Sequence, residues 1–267
     1  MGVEIIGYIL ALIVGISLGL IGSGGSILTV PILVYVMAID PVLATAYSLF
    51  VVGVTSLVGA IQSASKKRVD FKTVLIFGIP SIFAVYMTRA FLIPIIPDEL
   101  FDVGGFTFTK SIGLMVLFAV VMILAAVSMI RPCPDCQESD GSEIRYNYPL
   151  ILVEGILVGT LTGLVGAGGG FLIIPALVIL ARMPMKLAVG TSLFIIAAKS
   201  LLGFIGDIQA STAIDWNLLT LFTGLSVVGI FAGIYLSTKV AGNKLKTAFG
   251  WFILVMGVYI LIKELLI

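Results

Sequence analysis

Residues 22–31 read GSGGSILTVP, and residues 166–175 read GAGGGFLIIP. The second stretch lies 144 positions after the first, and the match continues without a gap. Ala44 aligns with Ala188, Ser48 with Ser192, Leu49 with Leu193, Phe50 with Phe194 and Gly59 with Gly203. One residue of slippage then aligns Asp70-Phe71 with Asp215-Trp216. A chance glycine cluster would not bring a matched proline and a matched following segment with it, so the chain reads as a duplication.

Composition says what is duplicated. Of 267 residues, 60% are hydrophobic and 11% charged, and the mean hydropathy is +1.24. A soluble domain carries about 25% charged residues, and this chain has too few to coat a compact body. Ten apolar segments follow one another, at roughly 5–21, 26–39, 42–64, 72–91, 109–130, 147–165, 171–182, 185–206, 217–238 and 247–265. A helix needs about 20 residues to cross a bilayer. The second and seventh segments, 14 and 12 residues long, fall short and read as half-helices or short tilted helices. The expected fold is all-α: a polytopic membrane protein of two repeats, 1–130 and 147–267, each of about five helical segments, joined by a linker at 131–146. The first segment is flanked by Glu4 and no basic residue, and no small-x-small cleavage site follows it, so it reads as a retained helix.

Basic residues set the orientation. Lys66, Lys67, Arg68 and Lys72 follow the third segment, and Lys239, Lys244 and Lys246 the ninth; both groups are expected in the cytoplasm. If every segment reverses the chain, Arg131, Arg145, Arg182 and Lys186 join them, making 11 of the 15 basic residues. Arg89, Lys110 and Lys263 fall outside with Asp98, Glu99, Asp102, Asp207 and Asp215, and Lys199 falls within a segment. Five segments is an odd number, so the second repeat enters from the opposite face. Inverted-topology repeats are characteristic of secondary transporters, whose substrate sits near the midplane at the repeat interface. The expected location is the cell membrane, multi-pass, and the inner membrane where a cell has two.

The glycine clusters carry the chemistry. A break before a short apolar segment exposes backbone N–H groups at the new helix start. Gly22, Gly24 and Gly25, and in the second copy Gly166, Gly168, Gly169 and Gly170, can take angles closed to other residues. Ser26 can cap or donate. Each break presents the positive end of a helix dipole, and inversion brings the two ends toward the middle from opposite sides, as an anion would require. Close helix packing is the alternative use of such glycines, and it is the one read for Gly15-x-x-x-Gly19 and Gly155-x-x-x-Gly159. A phosphate loop would end in Gly-Lys-Ser/Thr, which neither copy has.

Lys199 lies 14 residues into the eighth segment, on one helix face with Ser192, Ile196 and Gly203. The equivalent face of the first repeat holds Ser48, Val52, Thr55 and Gly59, so lysine stands where the other copy has threonine. A lysine there reinforces anion binding, unless it snorkels to an interface or pairs with an acid. Ser48, Thr191 and Ser192, with Thr45, line a path with hydroxyls or bond their own helix backbones. Glu154 in the sixth segment reads as a coupling carboxylate or as a water-facing acid near the surface.

The two cysteines, Cys133 and Cys136, form a Cys-x-x-Cys in the linker. Incidental thiols, a redox pair and half a metal site all fit; a homodimer would supply a second pair. No histidine is present and the formal net charge is +1, so no metal, cofactor or nucleic acid is expected.

The stretches GLIGSGGSILTVP at 19–31 and GLVGAGGGFLIIP at 163–175, with ATAYSLF at 44–50 and AVGTSLF at 188–194, resemble the sulfite exporter TauE/SafE family of membrane permeases. The resemblance covers nearly the whole chain outside the linker. It implies transport of sulfite, an organosulfonate or another sulfur-containing organic anion, and it carries to the glycine motifs and the regions of Ser48 and Thr191-Ser192. The resulting expectation is a non-enzymatic secondary transporter of a small sulfur-containing anion, working within the lipid bilayer and driven by a proton or sodium gradient. A passive anion channel and a membrane redox protein using Cys133 and Cys136 are the alternatives.

Overall fold

The computed structural model describes residues 2–22, 25–103, 106–130, 148–166, 168–179, 183–210, 214–237 and 242–266. Gly24 and the linker with Cys133 and Cys136 lie outside the described residues. Ten helices make up the described fold: α1 Gly2–Ile21, α2 Ser26–Val36, α3 Pro41–Ser65, α4 Phe71–Ile95, α5 Lys110–Ile130, α6 Tyr148–Val165, α7 Gly170–Ile179, α8 Met185–Ala210, α9 Trp216–Leu236 and α10 Gly242–Leu266. The last five residues of α2 and residues 88–92 of α4 widen into π turns. A small antiparallel hairpin, β1 Glu99–Val103 and β2 Phe106–Thr109, joins α4 to α5.

The helices begin where the sequence supplies caps. Asp40 accepts from the backbone N–H groups of Val42 and Leu43, with Pro41 at the first helical position. Asp70 and Asp215, the aligned aspartates of the two repeats, do the same for α4 and α9. An unmet N–H is costly in hydrocarbon, and an aspartate cap at the membrane edge removes that cost.

The residues are distributed as a bilayer demands. Phe83, Phe231 and Val255 are 64%, 53% and 65% exposed, so the outer surface is apolar. Ser48, Thr55, Ser56, Ser81, Arg89, Lys199 and Ser200 are fully buried, so the polar groups lie inside. Among the described residues, five helices are long and apolar enough to cross a membrane, and α1, α2 and α6 add shorter apolar stretches. The chain is a multi-pass membrane protein.

The packing has a regular plan. α1 packs on α9 and α6 on α4; α3 on α9 and α8 on α4; α2 on α3 and α7 on α8; α3 meets α8, and α5 meets α10. Exchanging α1–α5 for α6–α10 returns the same set of pairs. α3 and α8 cross antiparallel: a Cβ built on Gly59 would lie 3.2 Å from Leu193 Cδ1, and one on Gly203 3.3 Å from Leu49 Cδ1. These two contacts are repeat equivalents of each other. Thus the loop at Lys66 and the start of α8 share one face of the bundle, and the end of α8 at Asp207 and the start of α3 share the other.

Small residues let α1 and α9 touch along their backbones. A Cβ on Gly15 would lie 1.9 Å from the Ser226 carbonyl oxygen, and one on Gly229 2.3 Å from that of Leu12. Gly15→Leu should therefore force the pair apart and cost about 2–3 kcal/mol, read as a lowered midpoint of thermal unfolding in detergent. Gly224→Ala, on the same α9 but with nothing within 4 Å of the added carbon, should leave that midpoint unchanged or raise it.

Candidate transport site between the repeats

In both clusters, described glycines take turn conformations. Gly22, Gly166, Gly168 and Gly169 have φ of +79°, +71°, +64° and +64°, the left-handed region that glycine enters without strain. Each turn leans on a helix of the other repeat. A Cβ on Gly22 would meet Val189 at 2.3 Å, and one on Gly166 would meet Thr45 at 2.3 Å; Thr45 and Val189 are repeat equivalents. After the turns, α2 starts at Ser26 and α7 at Gly170. Gly25 caps α2 without any side-chain bond to the first turn, and Ser26 is buried.

The crossing of α3 and α8 fixes the centre. Its flanking contacts join 49 with 203 and 59 with 193, so its midpoint falls at residues 54 and 198. Thr55 and Lys199 are the next residues. Gly168 reaches this level, since a Cβ there would meet Val52 Cγ1 at 2.6 Å, and Ile196 Cγ2 and Ser200 Oγ both at 3.4 Å. Val52 and Ile196 are themselves repeat equivalents.

Lys199 is fully buried at this midpoint. Its Nζ donates to Thr162 Oγ1 at 3.2 Å and lies only 2.8 Å from where a Gly169 Cβ would be. The ammonium thus rests directly on the second glycine turn. Among the described residues this hydroxyl engages one of the ammonium's donors, and it brings no negative charge. On the same two crossing helices, Ser48, Thr55, Ser56 and Ser200 are buried with hydroxyl oxygens that find no partner among the described residues. Such groups are expensive without ligands, and Ser200 lies at the level of the Gly168 turn.

Other candidate residues lie elsewhere or are otherwise engaged. Ser192 donates to the Val189 carbonyl of its own helix at 2.8 Å. Thr191 Oγ1 accepts the Asp70 backbone N–H at 2.9 Å, and Tyr47, its repeat equivalent, accepts that of Asp215. These bonds tie each repeat's cap aspartate to the central helix of the other repeat. Thr191→Val and Tyr47→Phe should each leave one N–H unmet and cost about 1 kcal/mol, seen as small, roughly additive drops in thermal midpoint. Glu154 is half-buried on α6, beside Gly155, which packs on the Phe77 carbonyl of α4.

Sequence reading missed one pair. Arg89, assigned above to the outer side, is fully buried in α4. Its Nη1 lies 3.3 Å from Asp207 Oδ1 and donates to Thr45 Oγ1 at 3.0 Å. Asp207, placed above on the outer side with Arg89, is thus its buried partner. The pair spans 118 positions in sequence. An arginine inside an apolar segment was the only signal, and it names no partner.

Residues 8–260 match the family model described as Sulfite exporter TauE/SafE. The chain is 27% identical over 253 residues to a "Probable membrane transporter protein" of Xylella fastidiosa strain Temecula1, covering 93% of this chain and 91% of that one. It is 30% identical over 234 residues to a protein of the same description from Bacillus subtilis, YunE, covering 78% and 79%. A third, from Methanocaldococcus jannaschii, is 29% identical over 267 residues, covering 95% and 94%. No solved structure matches the chain.

Proposed function

Because the chain belongs to the sulfite exporter TauE/SafE family and has relatives described as "Probable membrane transporter protein", we propose that it is a secondary transporter of a small sulfur-containing oxyanion, sulfite or an organosulfonate, and not an enzyme. The observation that carries the anion reading is Lys199, a fully buried ammonium whose hydrogen-bond partner among the described residues is a hydroxyl, resting on the Gly168–Gly169 turn. An anion arriving there offsets the cost of burying the charge, and water at the same spot does so far less well. Ser48, Thr55, Ser56 and Ser200 supply further donors, and the start of α7 adds the positive end of its backbone dipole.

Transport proceeds by alternating access around this site. The antiparallel crossing of α3 and α8 supports a reading as inverted repeats, since equivalent helices then present equivalent surfaces to opposite faces. On this reading the Lys66 face is cytoplasmic, the membrane is the cell membrane, and a proton or sodium gradient drives the cycle. The test is purified protein in liposomes, offered sulfite, methanesulfonate, sulfate and thiosulfate with and without each gradient. Uphill accumulation of one sulfur oxyanion is the expected result. Large unitary currents without accumulation would make it a channel, and flux that ceases when Cys133 and Cys136 are both serine would favour the thiol reading.

A further inference from the structure

Arg89 and Asp207 play no part in the site around Lys199. They lie two turns of α8, about 12 Å, toward the Asp207 face from it. Three helices meet at the pair: α4 brings Arg89, α8 brings Asp207, and α3 brings Thr45. Thr45 belongs to one repeat and also braces Gly166 of the other. The contact therefore ties both repeats together on the Asp207 side of the centre.

Among the described residues, the opposite face has no such contact. The repeat equivalent of Thr45 is Val189, and that of Asp207 is Ser63, or Gln62 if the one-residue slip comes earlier. The equivalent of Arg89 is Ile234, a register that packing supports: Gly19 faces Gly233 and Ile234 as Gly163 faces Thr88. None of these residues is charged. The pair is also incompletely bonded. Arg89 Nε and Nη2 and Asp207 Oδ2 are buried without a partner among the described residues. A purely structural buried ion pair needs those remaining groups satisfied to hold firmly; one that leaves them open is suited to forming and breaking.

The geometry points to Arg89, Asp207 and Thr45 as a one-sided latch that holds the Asp207 face shut and biases the resting transporter toward opening at the Lys66 face. These are positioning residues. The inference rests on the alternating-access reading, but its test needs no substrate, so it can fail while anion transport stands, and the reverse.

The probe is Ser200→Cys at the centre, in protein whose Cys133 and Cys136 are serine, reconstituted in liposomes and treated with a membrane-impermeant maleimide from one face at a time. With the latch intact, labelling should be fast from the Lys66 face and slow from the Asp207 face. Asp207→Asn strands Arg89, and labelling from the Asp207 face should rise about tenfold or more while labelling from the Lys66 face falls. The exchange Arg89→Asp with Asp207→Arg should return both rates toward their starting values. General loosening would raise both rates together, and that result overturns the proposal, as does an unchanged rate from the Asp207 face. Should the aspartate variant fail to elute as a folded species, Thr45→Val removes one arm only. A rise of about threefold from the Asp207 face then supports the latch, and no rise overturns it.

Discussion

Lys199→Met should raise the stability of the ligand-free protein and sharply reduce anion transport at the same time. Methionine keeps the length of the side chain and removes the charge. In the native chain the ammonium is fully buried with Thr162 Oγ1 at 3.2 Å as its hydrogen-bond partner among the described residues. Replacing buried ionic groups by apolar ones of similar volume is neutral or stabilising, by about 1–4 kcal/mol, and for a chain of this size each kcal/mol moves the midpoint by roughly 2–4 °C. A rise of about 3 °C or more in detergent is therefore expected. Loss of one charge-assisted contact to an oxyanion, worth about 1.5–3 kcal/mol, should lower flux in liposomes by roughly 10- to 140-fold. Any stabilisation by added sulfite or methanesulfonate should vanish with it. Lys199→Arg keeps the charge but carries a larger planar head against the Gly169 turn, so it should bind weakly and transport slowly. A methionine variant that is less stable yet transports normally would mean that Lys199 is a packing residue and the anion site lies elsewhere.

Much of this was legible locally. The two glycine turns announce themselves by repetition, and Gly22, Gly166, Gly168 and Gly169 do take the angles only glycine accepts readily. The short second and seventh segments correspond to the short helices α2 and α7, and Asp70 and Asp215, matched in the two copies of the repeat, are the caps of equivalent helices. Helix starts, turns and apolar lengths depend on neighbours within a few residues, so the sequence shows them. Arg89 and Asp207 illustrate what it does not show. Their meeting depends on how α4, α8 and α3 cross, and on a register set by contacts such as Gly203 against Val85. Charge-based orientation could only place Arg89 near a surface, because it counts residues by side and is blind to depth. Thr191 is similar: a serine-threonine pair in a transmembrane helix suggests a polar path, and only the crossing of the repeats gives its hydroxyl to the Asp70 backbone.

Gly169→Ala should damage the site more than its size suggests, because one methyl strikes two functional groups. The added carbon would sit 2.0 Å from Thr162 Oγ1 and 2.8 Å from Lys199 Nζ, on a residue whose φ is +64°. The backbone angle alone costs an alanine about 1–2 kcal/mol, and Thr162 must also leave its place, taking the hydrogen bond to Lys199 with it. Flux should fall nearly as far as in Lys199→Met, but the thermal midpoint should drop where the methionine variant raises it. The opposite signs separate a site lost through removal of charge from one lost through collapse of the turn. Thr162→Ala within Gly169→Ala clears the nearer obstruction and should recover part of the stability, while flux stays low because Nζ is still displaced. Gly78→Ala is the matched control, since its added carbon has 3.9 Å of clearance from Ile195 and should disturb neither quantity. If Gly169→Ala transports at the native rate, the turn does not form the floor of the anion site, and Lys199 must act from the side of α8 alone.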